Sequence, residues 1–120
     1  MFVKVYQYHI QQDKVQEYFE IQKKSSEIYS KYITSETMYL NSKEDPTKWM
    51  EISRYENEQE YYKSMKLVNE VVEIHSLFKS FQSLLVSEKR EIMEEDFIQK
   101  SRDHECGTDV RGCIGILDGK

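Results

Sequence analysis

A chain of 120 residues, 38% hydrophobic and 32% charged, has the size of one domain with a modest hydrophobic core. Nine tyrosines and five phenylalanines exclude wholesale disorder, which goes with few aromatics. The formal net charge of -5 excludes nucleic acid and anionic membrane surfaces as main partners, because both select basic patches.

The chain opens with FVKVYQYH, a β-branched and aromatic run that reads as a strand. Phe2, Tyr6 and Tyr8 fall on one face and Val3, Val5, Gln7 and His9 on the other, so both sides of the strand are expected to be covered. The opening segment lacks a long apolar region and a small-residue cleavage site, so no secretory signal is expected. No apolar run approaches the roughly 20 residues that span a bilayer, which places the protein in the cytoplasm by default. Asp13 followed by Gln16 resembles a capping box and begins a helix to about Lys31. Its apolar positions, among them Val15, Tyr18, Phe19, Ile28 and Tyr29, recur at three- and four-residue steps.

TSETMYLN is the second expected strand. SKEDPTK, with the lone proline Pro46, is the turn, and WMEISRYE is the third strand, completing an antiparallel hairpin. Asn57 with Glu60 is a second capping signal, starting a helix that carries Tyr61, Met65 and Val68. The pattern shifts phase near Asn69, which predicts a kink or a new helix running to about Leu84. A last strand is expected near 89–96. All four glycines and both cysteines fall in the last fifteen residues, so the chain divides into a body of residues 1–98 and a tail of residues 99–120.

The order β-α-β-β-α-(α)-β is an α+β, ferredoxin-like pattern. With the bent second helical region and its histidine, residues 1–98 resemble the dimeric α/β-barrel superfamily, and within it the antibiotic-biosynthesis-monooxygenase-like domains. The resemblance implies an antiparallel sheet with helices on one face and a homodimer packed sheet to sheet. It also implies a pocket between sheet and helices for a small hydrophobic or aromatic ligand. The activity implied is that of a small monooxygenase working without a cofactor on a quinol-type substrate.

Such chemistry needs a dry pocket, a base and a hydrogen-bond donor. His75, at the edge of the apolar face of the second helical region, Tyr6 and Arg54 are the candidate catalytic residues. Tyr8, Trp49, Met65 and Phe78 are the candidate substrate-binding residues. The alternative is haem held by His75, since haem-degrading members of the superfamily carry a histidine on the corresponding helix. They also carry a tryptophan on the preceding helical segment and an asparagine on the first strand. Here those places hold Tyr61, Tyr62 and Met65, and Tyr6 or Gln7. The remaining alternative is a dimeric ligand-binding module without catalysis. His104, Cys106 and Cys113 in the tail match no standard zinc spacing, so no metal is expected. Two cysteines are also too few for a disulfide scaffold.

Overall fold

The computed structural model describes residues 1–100. The expectations for the tail from residue 101 on, including His104, Cys106 and Cys113, lie outside the described residues. Strand β1 (Phe2–His9) leads through a 3-10 turn (Gln12–Lys14) into helix α1 (Val15–Tyr29). The hairpin β2 (Ser35–Asn41) and β3 (Lys48–Tyr55) follows, then α2 (Glu58–Val68), α3 (Val72–Ser83) and β4 (Met93–Ile98). The sheet has the order β2-β3-β1-β4 and is antiparallel throughout, the arrangement of the expected ferredoxin-like fold.

Alternation on the strands sorts the side chains into two sets. Tyr6 pairs with Glu51, and Tyr8 with Trp49, so the even residues of β1 and the odd residues of β3 share the face covered by helices. Two apolar clusters fill that layer. One gathers Tyr8, Ile10, Tyr18, Trp49, Phe81, Leu84 and Leu85, and the other Ile28, Val68, Ile74 and Leu77, with Ile21 packed against both. Lys4 is buried on the same face, where it ion-pairs with Glu94 and, at 2.8 Å, with Asp96. Burial opposes its charge, but the hydrogen bonds it donates to Asp96 and Glu94 outweigh that and hold the lysine above its ordinary value. Lys4 thus ties the edge strand β4 to the centre of the sheet.

Several boundaries differ from the sequence reading. The Asp13–Gln16 capping box does not form: Lys14 occupies the cap position with no side-chain bond, and the 3-10 turn supplies the entry into α1. Helix α1 ends at Tyr29 rather than Lys31, closed by Ile33 N–H donating to the Tyr29 carbonyl at 3.0 Å. The last strand begins at Met93 instead of 89. Residues 86–89 form a turn, with Lys89 N–H on the Val86 carbonyl at 2.9 Å, and pairing with β1 starts only where Met93 meets Gln7.

The break near Asn69 is present: α2 stops at Val68, and Val71 is extended before α3. The Asn57 cap also forms, its side chain accepting from Glu60 N–H at 2.8 Å. Replacing Asn57 with alanine removes that acceptor, and urea denaturation should show a loss of about 1 kcal/mol. An unchanged midpoint would mean that water replaces the cap.

Candidate functional site

Where the two clusters meet, the helix layer does not fill the space above the sheet. A cavity of about 220 Å³ remains. Its sheet wall is built from Tyr6, Tyr8, Tyr39, Tyr55, Thr37 and Ser53 around Glu51. The opposite wall is apolar, formed by Met65, Ile74, Leu77, Phe78 and Phe81 of α2 and α3. Small side chains explain the opening. Ser25 and Ser26 of α1 and Ser35, Thr37 and Ser53 of the sheet stand where larger residues would have closed the layer.

Glu51 is the chemical centre of the cavity. It is half-buried on the helix-covered face, and its cross-strand neighbours are Tyr6 and Tyr39. Tyr8 donates to Glu51 Oε1 at 2.8 Å, and Gln22 Nε2 reaches the same oxygen at 3.4 Å. The Tyr8 and Tyr18 hydroxyls lie 2.6 Å apart. Because the single proton of Tyr8 is committed to Glu51, Tyr18 is the donor in that pair. Tyr39 donates to Gln22 Oε1 at 3.4 Å and orients the amide. Among the described residues the bonds to Glu51 all fall on Oε1, which leaves Oε2 for a ligand.

Burial pushes the Glu51 carboxyl above the usual carboxylate range, while the bonds from Tyr8 and Gln22 pull it back in part. Burial also drives Tyr6 and Tyr8 far above the ordinary tyrosine value, and Tyr29 up to about 12. At neutral pH these tyrosines are therefore hydrogen-bond donors and not bases. Among the described residues that line the cavity, the group suited to accept a proton is Glu51.

Of the residues singled out from the sequence, Tyr6, Tyr8, Met65 and Phe78 line the cavity together. Trp49 is buried behind it, with its ring centroid 5.0 Å from that of Tyr18 and 5.4 Å from that of Phe19. Arg54 lies on the other face of the sheet, opposite Val3 and Glu36, and donates to Gln99 at 3.1 Å. His75 is exposed on α3 and does not line the cavity. Its Nε2–H donates at 2.7 Å to the carbonyl of Asn69, the residue that caps α2. It fastens the bend between the two helices by satisfying a terminal carbonyl that the helix leaves free.

Glu51 and Gln22 were missed from the sequence. The signal was an acid in the alternating series Trp49, Glu51, Ser53, Tyr55, which becomes informative only once that face is known to be the covered one. Among the described residues, no group of three or more His, Cys, Asp or Glu side chains is placed to hold a metal ion. No helix among them is long and apolar enough to cross a membrane.

No protein-family model matches the sequence, and no curated protein matches it. Solved structures do. An uncharacterized NIPSNAP domain protein from Burkholderia xenovorans superposes with a TM-score of 0.66 at 12% identity, over 84% of this chain and 96% of that one. SnoaB, a cofactor-independent oxygenase from Streptomyces nogalater, gives 0.64 at 5% identity, over 85% and 95%. An antibiotic biosynthesis monooxygenase gives 0.62 at 8% identity, over 84% of this chain and all of the other (100%). At such identities the likeness establishes the fold. The chain has the ferredoxin-like α+β fold of the antibiotic-biosynthesis-monooxygenase-like and NIPSNAP domains, in agreement with the resemblance read from its sequence.

The raised Glu51 carboxyl makes stability depend on pH. Between the ordinary carboxylate range and the raised native value, the folded chain holds a proton that the unfolded chain has lost. Stability therefore falls as pH rises through that window. In Glu51→Gln the amide oxygen still accepts from Tyr8 but carries no charge. The variant should be more stable than the parent at about pH 8, with the gap closing toward about pH 4. Urea midpoints at both pH values measure this, and a gap independent of pH would mean that burial does not raise the Glu51 carboxyl.

Proposed function

We propose that the protein is a small oxygenase that acts without a cofactor on a quinol-type aromatic held in the cavity, with Glu51 as its general base. The observation that carries this reading is a carboxylate of raised proton affinity set among tyrosine donors, facing an apolar wall. In this reading the aromatic rings lie against Met65, Leu77 and Phe78, and a ring hydroxyl donates to Glu51 Oε2. Proton removal makes the ring electron-rich enough to reduce dioxygen. One oxygen atom enters the ring, the other leaves as water, and the four electrons come from the quinol, which becomes a hydroxyquinone. Tyr6, held protonated, donates to the oxyanion as its charge develops. The fold shared with SnoaB supports the reaction class and says nothing of the substrate.

Oxygen uptake with a model naphthalene quinol is the direct test. The parent should consume oxygen above the uncatalysed rate, and Glu51→Gln should lose about 100-fold or more. Equal rates in the two proteins would remove Glu51 as the base, and no uptake at all would leave a binding module. The haem alternative would require His75 to face a ligand space, and its ring is engaged with Asn69 on the exposed side of α3.

The second part of the proposal concerns the open face of the sheet. Met38, Met50, Ile52, Val3, Val5 and Phe97 share that face by register, with Leu40 and Met93 at its end. Met38, Leu40, Met93 and Phe97 are 44–58% exposed there. An apolar sheet face of this extent calls for a cover, and a second copy packed sheet to sheet supplies one, as the resemblance implies. Ile52→Lys places a charge at the centre of that face. Light scattering should give the mass of two copies for the parent and one for the variant. A monomeric parent, or a variant that stays dimeric, would exclude this interface.

A further inference from the structure

The charges around the cavity carry the argument one step further, resting on the reading of the cavity as the substrate site. Among the described residues that line it there is no lysine, arginine or histidine, and the sole carboxylate is Glu51. The wall is otherwise hydroxyls, amide and apolar carbon. The buried lysine beneath this wall, Lys4, sits 5.7 Å from the centroid of the Tyr6 ring and 5.3 Å from that of Tyr61. Its charge is spent on Glu94 and Asp96, so it presents no free counter-charge to a ligand. A ligand anion entering here would give up its hydration, meet no cation and approach a carboxylate.

We infer that the cavity selects uncharged aromatic alcohols and rejects carboxylates and phosphates of the same shape, with Glu51 imposing both halves of the choice. Two features make the selection specific instead of merely apolar. The protein's own donors occupy Oε1, which leaves Oε2 as an acceptor that a ligand hydroxyl satisfies and an ether does not. Tyr8 and Gln22, oriented in turn by Tyr18 and Tyr39, hold that carboxylate in place, so it cannot swing away to relieve a poor ligand without breaking their bonds to it. Size agrees. At the packing density of protein interiors, about 0.75, the cavity of about 220 Å³ holds an aromatic of two or three fused rings. A macrocycle bearing carboxylate side arms, such as haem, fails on both size and charge.

The test is calorimetric titration of the full chain with naphthol, naphthoate and methoxynaphthalene at about pH 7, where the alcohol is neutral and the carboxylate charged. Naphthol should bind at least about 10-fold tighter than either of the others, the size of one charge-assisted hydrogen bond. In Glu51→Gln the gap between naphthol and naphthoate should shrink by about 10-fold, while methoxynaphthalene changes little. Equal affinities for the three probes, tighter binding of naphthoate, a gap that survives Glu51→Gln, or no binding of naphthol would each overturn the inference. Its failure is distinct from that of the oxygenase reading. Selective binding without oxygen uptake leaves a sensor of neutral phenols, whereas oxygen uptake without selectivity keeps the oxygenase and removes Glu51 as its filter.

Discussion

The register of β1 against β3 is the constraint on which the rest depends. Tyr6 opposite Glu51, and Tyr8 opposite Trp49, put an acid and its hydroxyl donors on the covered face, and leave Val5 opposite Ile52 on the open one. A shift of one residue would send Glu51 to the open face and bring Ile52 into the cavity wall, because strand side chains alternate strictly. The flanking strands are fastened to this central pair by side-chain contacts on both sides. On one side Lys4 is paired with Glu94 and Asp96 across β4, and on the other Thr37 meets the Ser53 hydroxyl at 2.9 Å across β2.

The covered face carries an unusual load for a domain of this size. Several tyrosines, a carboxylate and a lysine lie under the helices, where aliphatic residues would give greater stability for less desolvation. The apolar contributions come from two clusters, the first of which includes the rings of Tyr8 and Tyr18. The hydrogen bonds compensate the burial only in part, which is why Glu51 keeps its proton to higher pH than an exposed glutamate. A group left incompletely satisfied inside a cavity is poised to interact with whatever enters.

The two faces of the sheet divide the labour. The helix side builds a cavity, with α1 supplying Gln22 and the small serines, and α2 and α3 supplying the apolar wall. The bend between α2 and α3 lets Met65 and Phe78, on different helices, contribute to one surface. His75 serves that geometry from outside by holding the corner at Asn69. The open side carries the aliphatic and sulfur-containing residues that suit a flat partner surface.

The element order, the hairpin, the Asn57 cap and the helix break were legible in the sequence because each depends on neighbours within a few residues: strand alternation, a capping side chain, a phase change in an apolar repeat. The fold class followed from their order. Tyr6, Tyr8, Met65 and Phe78 line the cavity because they lie on the regular faces that the sheet and the helices turn toward each other, Phe78 at a half-exposed position. Glu51 was not legible. Its carboxylate becomes chemically distinctive only when Tyr8, Gln22 and Tyr39, from three different elements, converge around it in a space that small serines leave open. His75 was placed by its position at the edge of an apolar helix face and Arg54 by chemical type, and whether either faced the cavity depended on packing across elements. The sequence by itself determined which segments form which elements, because those preferences are local. Only the tertiary structure decided which titratable group is desolvated, because desolvation is set by residues distant in the chain.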